Sequence, residues 1–275
     1  MKKVILLVLI VLRPLFVPAQ NDQELRMKNF PKTEVKADRL PKKKNLWVFI
    51  LAGQSNMAGR GFVEPQDTVP SDRIFTLNKD GSLIIAKEPL HFYEPSLTGL
   101  DCGLSFGKEL IQHIPDNVSL LIIPSAIGGS SISQWLGDST FRNVKLFSNF
   151  SEKATIGRKY GTIKGVLWHQ GESDANPSDI PFYANRLENL ISIFRKATSH
   201  KKLPVMIGEL GSYSLNNENW EKINSQIRPA VSRDHHASLI RTADLNEKGD
   251  KIHFNSQGQR ILGQRFANEY ITKYK

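Results

Sequence analysis

A serine that could act as a nucleophile stands in the segment AGQSNMAG, residues 52–59. Gly53 precedes Ser55 by two positions and allows a tight turn that presents the hydroxyl and frees backbone N–H groups. The same pattern also suits an ordinary turn serine that caps the next segment. It differs from the Gly-x-Ser-x-Gly elbow of the α/β-hydrolases, because Met57 occupies the second glycine position.

A serine hydroxyl needs a base to react near neutral pH, and His253 is the most suitable candidate. It lies in GDKIHFNS, residues 249–256, three positions after Asp250. On a turn, this spacing lets the carboxylate bond one imidazole nitrogen while the other faces Ser55. The alternative is a surface carboxylate beside a histidine that packs near a helix start. The pair His235 and His236 could bind a metal, but no third ligand stands at recognisable spacing.

Two further polar segments could stabilise the oxyanion that develops during acyl transfer. They are IPSAIGGSS, residues 123–131, and WHQGESD, residues 168–174. The suitable donors are the backbone N–H of Gly128, the side-chain amide of Gln170 and the N–H of Ser55 itself. Loss of one such donor typically costs about 3 kcal/mol of transition-state stabilisation. Taken singly, each segment could equally be a turn or a polar strand end.

These segments need a scaffold that brings them together, and the apolar pattern predicts one. Short runs rich in β-branched residues suit strands buried on both faces of a parallel sheet, and stretches with helical periodicity lie between them. This alternation predicts an α/β fold with helices on both faces, whose ligands bind at the carboxyl ends of the strands. The predicted strands are 46–51, 119–123, 163–168, 204–208 and 237–242, and the predicted helices are 104–114, 182–197, 220–231 and 256–272.

The amino-terminal part of the chain predicts export rather than structure. Residues 1–19 form a signal peptide pattern, with Lys2 and Lys3 before a short apolar run and small residues at its end. The run is too short for a stable membrane span, so we expect a secreted or periplasmic protein. Residues 20–44 are polar and Lys-rich, which predicts a flexible spacer or a segment along the surface. Residues 45–275 suit one domain.

Composition narrows the classes of partner and chemistry. The net charge is +10, but the lysines are scattered and no nucleic-acid-binding signature is present, so we expect no nucleic-acid partner. The single cysteine, Cys102, excludes a disulfide within the chain. We expect it to be buried rather than nucleophilic, because its neighbours supply no base. The chemistry above requires no metal and no organic cofactor.

Five blocks of the sequence, in order, resemble the SGNH (GDSL-like) hydrolase superfamily. The closer resemblance is to carbohydrate esterase family 6 and the sialate O-acetylesterase domain, and it covers about residues 46–270. The matching blocks are LAGQSNMAGRG (51–61), GLSFG (103–107), GGSSISQW (128–135), WHQGESD (168–174) and DKIHF (250–254).

The resemblance implies a three-layer α/β/α sandwich with a central parallel sheet. It implies Ser55 as nucleophile, His253 as base and Asp250 as the acid that orients it. It also implies an oxyanion hole made by Ser55, a glycine and Gln170. We assign this glycine as Gly128, which follows the second core strand, with Gly103 as the alternative. Glu172 could orient His253 or brace the Gln170 loop, and the closer spacing of Asp250 to His253 favours bracing.

The expected function is therefore that of a secreted serine esterase that removes acetyl groups from an acetylated oligo- or polysaccharide. Arg60, Trp135 and two long irregular segments, 60–100 and 137–161, are candidates for sugar contact, although Trp135 could instead belong to the core. One alternative is a lipase or thioesterase on the same fold, which would need a long apolar groove. The other is a carbohydrate-binding pseudoenzyme, which the presence of all expected catalytic residue types disfavours.

Overall fold

The structure is a computed structural model that describes residues 19–275. The predicted signal peptide therefore lies outside the described residues apart from Ala19. The strands are β1 (Leu46–Gly53), β2 (Ile74–Leu77), β3 (Leu83–Ile85), β4 (Ser119–Pro124), β5 (Thr140–Phe141), β6 (Val144–Lys145), β7 (Thr162–His169), β8 (Val205–Gly208) and β9 (Ala237–Ile240). The helices are α1 (Ala19–Met27), α2 (Ser55–Ala58), α3 (Gly103–Leu110), α4 (Ile132–Leu136), α5 (Leu146–Tyr160), α6 (Tyr183–Ala197), α7 (Asn217–Ser232) and α8 (Ser256–Lys273).

A seven-stranded sheet runs through the centre in the order β3-β2-β4-β1-β7-β8-β9. Every neighbouring pair is parallel except β2 and β3, which are antiparallel. The predicted parallel sheet with helices on both faces is confirmed, with β3 as an antiparallel strand at one edge. The five predicted strands are β4, β1, β7, β8 and β9, which form the contiguous body of this sheet.

Side chains alternate along β1 between two cores, because successive residues of a strand point to opposite faces. Val48, Ile50 and Ala52 join the core that contains the apolar residues of α4 to α7. Phe49 and Leu51 join the core that contains those of α3 and α8. The sheet thus lies between two helical layers, which is the predicted three-layer arrangement.

The strand register brings three chain segments to one edge of the sheet. Gly53 at the end of β1 lies beside His169 at the end of β7, and Leu51 lies beside Pro124 at the end of β4. Gly53 has φ of +139°, and a Cβ there would lie 2.1 Å from the His169 carbonyl oxygen. Only glycine fits this close approach, so Gly53 fixes the path of the chain into α2.

Parts of the two segments predicted to be irregular are ordered in the structure. Residues 60–100 contain β2 and β3, and residues 137–161 contain the β5–β6 hairpin and the 15-residue helix α5. In α5, Leu146, Phe150 and Ala154 are buried at intervals of four residues. The helical period is present, but the intervening Ser, Thr and Gly residues weaken it as a sequence signal. Burial against the sheet stabilises the helix.

Residues of the segment 20–44 contact the domain at two points. Arg26 is almost fully buried and donates hydrogen bonds to the carbonyl oxygens of Ser96 and Thr98. The Ala37 N–H donates to the Leu83 carbonyl oxygen at the edge strand β3. None of the helices from residue 19 onward has the length and apolar character needed to cross a membrane.

Candidate active site

Ser55, His253 and Asp250 form one chain of hydrogen bonds although they come from opposite ends of the sequence. Ser55 begins α2 directly after β1, and the Ser55 hydroxyl donates to Nε2 of His253 at 3.0 Å. Nδ1 of His253 donates to Oδ2 of Asp250 at 2.7 Å. Ser55 is 7% exposed.

Asp250 is held in the ionised state by its own loop. Burial alone would raise its pKa, but the hydrogen bond from the His253 ring holds the pKa well below the ordinary range. Oδ1 also accepts the backbone N–H groups of Ile252 and His253. An ionised Asp250 fixes the tautomer of His253 with the proton on Nδ1, which leaves Nε2 free to take the Ser55 proton.

Asn56, the residue after Ser55, joins α2 to the loop that carries His253. Its side-chain oxygen accepts the N–H of Phe254, and its Nδ2 donates to the Ile252 carbonyl oxygen. Its own carbonyl oxygen accepts a hydrogen bond from the Gln259 side chain on α8. Asn56 therefore fixes the backbone on both sides of His253. The sequence interpretation missed this role, although an asparagine directly after the candidate nucleophile is a usable signal.

Glu172 contacts Asn56 rather than His253. Its Oε1 accepts the other Nδ2 hydrogen of Asn56 at 2.6 Å and lies 3.8 Å from Nδ1 of the buried His169. The structure places Asp250, and not Glu172, on the ring of His253. It also differs from the predicted bracing of the Gln170 loop, because the group that Glu172 braces is Asn56.

Gln170 does not present a free donor to the site, contrary to the sequence expectation. The residue is fully buried, and its Nε2 lies within hydrogen-bond distance of three acceptors. These are Oε1 of Gln54 at 3.1 Å, the Ser130 carbonyl oxygen at 3.2 Å and Oδ2 of Asp174 at 2.6 Å. An amide nitrogen carries two hydrogens, so both are already engaged.

Gly128 is likewise engaged, since its N–H donates to Oε2 of the buried Glu94 at 2.7 Å. The alternative Gly103 donates its N–H to Asp101 inside the domain. The next residue in the loop, Gly129, has φ of +81°, and its N–H donates to no acceptor in the part of the chain that the structure describes. Its carbonyl oxygen accepts the Ser173 hydroxyl at 3.0 Å, so Gly129 adjoins the segment after β7.

Arg60 does not face a sugar site, because it is buried and pairs with Glu94 at 2.8 Å. The second guanidinium on Glu94 belongs to Arg142, which is 42% exposed and pairs with Oε1 at 2.7 Å. Burial of Glu94 would raise its pKa, but the two arginines and the Gly128 N–H hold that pKa below the ordinary range. Two cations therefore share one carboxylate.

Trp135 belongs to the core and not to a sugar contact. It is fully buried, packs edge-on against Trp168 with ring centroids 5.3 Å apart, and also contacts Phe194. Its indole N–H donates to the Ser130 hydroxyl oxygen at 2.9 Å. Of its two possible places, the core is the one it occupies, and there it supports the loop after β4.

Among residues 19–275, neither an activated thiol nor a cluster of metal ligands is present. Cys102 is buried, and burial raises the pKa of its thiol well above the ordinary value. Thiolate formation is therefore disfavoured. Among residues 19–275, no cluster of three or more His, Cys, Asp or Glu side chains has the arrangement of a metal site.

The mostly parallel sheet between two helical layers, with Ser55 after the first core strand, is the fold of the SGNH hydrolases, a class in which the structural neighbours also fall. Within this class, the model of the family "Carbohydrate esterase, sialic acid-specific acetylesterase" matches residues 45–272, and the chain belongs to that family.

Individual relatives agree with this placement. The chain is 28% identical to the "Probable carbohydrate esterase At4g34215" of Arabidopsis thaliana, over 82% of this chain and 91% of the relative. The crystal structure of that Arabidopsis protein has a TM-score of 0.73 at 26% identity, with 86% of this chain and all of the other covered. NanS has a TM-score of 0.68 at 19% identity, with 86% of this chain and 99% of NanS covered, which shows the shared fold.

Proposed function

We propose that this carbohydrate esterase is a serine O-acetylesterase in which Ser55 is the nucleophile, His253 the base and Asp250 the orienting acid. The observation that carries the proposal is the unbroken chain of hydrogen bonds from Asp250 through His253 to the Ser55 hydroxyl. Nucleophile, base and orienting group in this order are what a serine needs to attack an ester.

The reaction proceeds in two steps. As Nε2 of His253 takes the proton, the Ser55 oxygen forms a bond to the acetyl carbonyl carbon, and the carbonyl π electrons move to its oxygen. Collapse of this intermediate breaks the ester bond, and the sugar hydroxyl leaves with the proton from His253. Water then attacks the acetyl-enzyme by the same sequence and releases acetate.

The backbone donors for the oxyanion are the N–H groups of Ser55 and Gly129 in this proposal. Neither donates a hydrogen bond to any residue between 19 and 275. Gly129 replaces the predicted Gly128, whose N–H Glu94 engages. Because Gly129 lies in the loop after the neighbouring strand β4 and adjoins Ser173, the loop can bring its N–H to the substrate carbonyl.

The charge beside this loop favours an acidic sugar as substrate. Glu94 neutralises only one of its two arginine partners, and Arg142 is the exposed one. A Cβ on Gly129 would lie 3.8 Å from Nη2 of Arg142, so the guanidinium adjoins the proposed oxyanion loop. Arginine suits planar carboxylates. An O-acetylated sugar acid, such as an acetylated sialic acid, therefore fits better than acetylated xylan.

The substrate proposal can be tested with Arg142→Gln. We expect kcat/KM to fall at least tenfold for an acetylated sialic acid and to stay within twofold for a neutral acetylated xylo-oligosaccharide. Arg233→Gln is the matched control, because Arg233 is also half-exposed with one carboxylate partner, Glu188, but follows α7 at the opposite edge of the sheet. Equal losses on both sugars would contradict recognition of a carboxylate.

Acetate release from a panel of acetylated glycans, with Ser55→Ala as control, tests the esterase activity itself. We expect release that the substitution abolishes. Preference for long-chain esters would favour a lipase or thioesterase, and sugar binding without release would favour a pseudoenzyme.

Export is proposed from residues 1–19, and amino-terminal sequencing of the protein recovered outside the cytoplasm would test it.

A further inference from the structure

A nearly buried lysine lies behind the proposed orienting acid. The side chain of Lys248 is 10% exposed, and its ammonium lies between two carboxylates from distant parts of the chain. Nζ donates to Oδ1 of Asp22 at 2.8 Å and lies 3.5 Å from Oδ2 of Asp250. Lysine is almost never buried without a partner, so these two carboxylates account for its position.

The backbone of the loop that carries His253 brings Lys248 close to the site. The Lys248 N–H donates to the His253 carbonyl oxygen at 2.9 Å. Gly249 has φ of +110°, a conformation that suits glycine, and turns the chain directly after the lysine. Lys248 and Asp250 therefore stand on the same turn, two positions apart.

Helix α1 supplies the other carboxylate. Asp22 bonds Lys248 through Oδ1 and accepts a hydrogen bond from Arg26 through Oδ2 at 2.9 Å. Arg26 is almost fully buried and donates to two carbonyl oxygens between β3 and α3, so the domain holds this end of the pair in place. One ammonium thus links the segment before β1 to Asp250.

The ammonium is close enough to act on the proposed base. Oδ2 of Asp250, which lies 3.5 Å from Nζ, is the same oxygen that accepts Nδ1 of His253 at 2.7 Å. These two contacts place Nζ at most about 6 Å from the ring, where a unit charge near the surface moves a titration by roughly 0.5 to 1 pH unit. A cation there disfavours protonation of the ring, so Lys248 favours the form of His253 that can take the Ser55 proton.

The other titratable groups around Asp250 are engaged elsewhere. Its own loop and the segment after β7 contribute acids with partners, the loop after β8 contributes a phenol, and α1 contributes an ion pair. In that order they are Glu247 with Lys251, Glu172 with Asn56, Tyr213, and Asp22 with Arg26. Burial raises the pKa of Tyr213 well above the ordinary value, so its hydroxyl stays neutral. Among residues 19–275, Lys248 is the only lysine or arginine within 4.0 Å of Asp250.

We infer that Lys248, held by Asp22 of α1, is a positioning residue that keeps His253 unprotonated and so extends the esterase activity toward lower pH. Asp22 draws the ammonium away from Oδ2 of Asp250, which leaves that oxygen to the ring of His253. The inference rests on the proposed esterase function, because it assigns the control of the base in that reaction.

The pH profile of kcat/KM tests this role. Lys248→Met removes the charge and retains an apolar stem, and we expect the acidic limb of the profile to move up by roughly 0.5 to 1 pH unit. On that limb the rate then falls about three- to tenfold, whereas the rate at the optimum changes little. Lys251→Met is the matched control, because Lys251 lies on the same loop with one carboxylate partner, Glu247. We expect its acidic limb to stay in place.

A substitution on α1 tests the link through the ammonium. Asp22→Asn retains the cation but removes the partner charge that draws it away, so the acidic limb should move down rather than up. In the Lys248→Met background the same substitution should move the limb by less than half as much, because Asp22 acts through Lys248. An upward move in Asp22→Asn would contradict the role given to Asp22.

Proton NMR of the imidazole rings measures the titration of His253 without a substrate, and His253→Gln identifies its signal. We expect the titration midpoint to rise in Lys248→Met by as much as the acidic limb does. Circular dichroism and the melting temperature check folding, and Lys248→Gln replaces Lys248→Met if that variant does not fold. An unmoved midpoint in the folded variant, or an equal rise in Lys251→Met, would overturn the inference. Absence of acetate release by the wild type would instead reject the esterase proposal, and the NMR midpoint would still decide whether Lys248 acts on His253.

Discussion

Replacement of Asp250 by Asn should reduce kcat far more than replacement of Glu172 by Gln. In Asp250→Asn, the side-chain oxygen can still accept the N–H groups of Ile252 and His253. The new NH2 group then faces Nδ1 of His253, which can only accept from it. The ring proton moves to Nε2, so the base presents a hydrogen to the Ser55 hydroxyl and cannot take its proton.

The two losses can be estimated from the contacts. In serine proteases the same exchange lowers kcat about 10⁴-fold, and the partial exposure of Asp250 favours about 10³- to 10⁴-fold here. Glu172→Gln retains an oxygen for Asn56 and loses only the charge on that bond. This costs about 1 kcal/mol, which corresponds to roughly fivefold in rate.

The assay is kcat/KM for acetate release at the pH of maximal activity, with melting temperatures to confirm folding. We expect the two variants to differ by at least 100-fold. Losses within tenfold of each other would refute the reasoning, because Glu172 would then act on His253 as strongly as Asp250 does. A similar loss in Asn56→Ala and Glu172→Gln would further show that Glu172 acts through Asn56.

Three more predictions concern stability and reactivity. The pKa of Glu94 is lowered in the folded state. The stabilisation that ionised Glu94 contributes to the fold is therefore complete at neutral pH and is lost as the pH falls below the ordinary carboxyl range, near 4. Urea unfolding at pH 7 should show Glu94→Gln to be about 3 kcal/mol less stable than the wild type, and this difference in stability should narrow in acid. Trp135→Ala should cost about 3–5 kcal/mol of stability, while the KM for sugar esters changes little. A raised KM with unchanged stability would instead support a sugar contact for Trp135. Cys102 should react with a thiol reagent only after unfolding, as timed labelling in native buffer and in denaturant can show.

The strands β1, β4, β7, β8 and β9 were predictable from the sequence because each is a short apolar run buried in the sheet, whereas β2 and β3 were missed. The convergence of Ser55 with His253 and Asp250 followed from the rule that sites form at the carboxyl ends of parallel strands. Helix α5 was missed because small and polar residues interrupt its buried stripe. Its order depends on tertiary packing, which a local pattern does not report.

The donors of the oxyanion site were harder to predict, for a physical reason. Residue type identifies which groups can donate, but hydrogen-bond partners decide which hydrogens remain free. Gln170 and Gly128 are suitable in type, yet Asp174 and Glu94 engage them. Both acids are buried. Glu94 is 34 residues from Gly128 in the sequence, and Asp174, although only four residues after Gln170, is one of several polar residues in its block, so residue type alone does not show which group it binds.

Gly53, Ser55 and Asn56 stand within four consecutive positions, and each contributes to the geometry of the site in a different way. Gly53 permits the close approach of β1 and β7 at the point where the chain turns. Ser55 and Asn56 then engage the carboxyl-terminal loop in two ways, through the ring of His253 and through the backbone of its neighbours. Because the hydroxyl of Ser55 and the amide of Asn56 lie on the same helical turn, any shift of α2 would displace the proposed nucleophile and the support of the proposed base together. The catalytic distance is therefore set within one short segment, which explains how residues almost 200 positions apart can hold a contact of 3.0 Å.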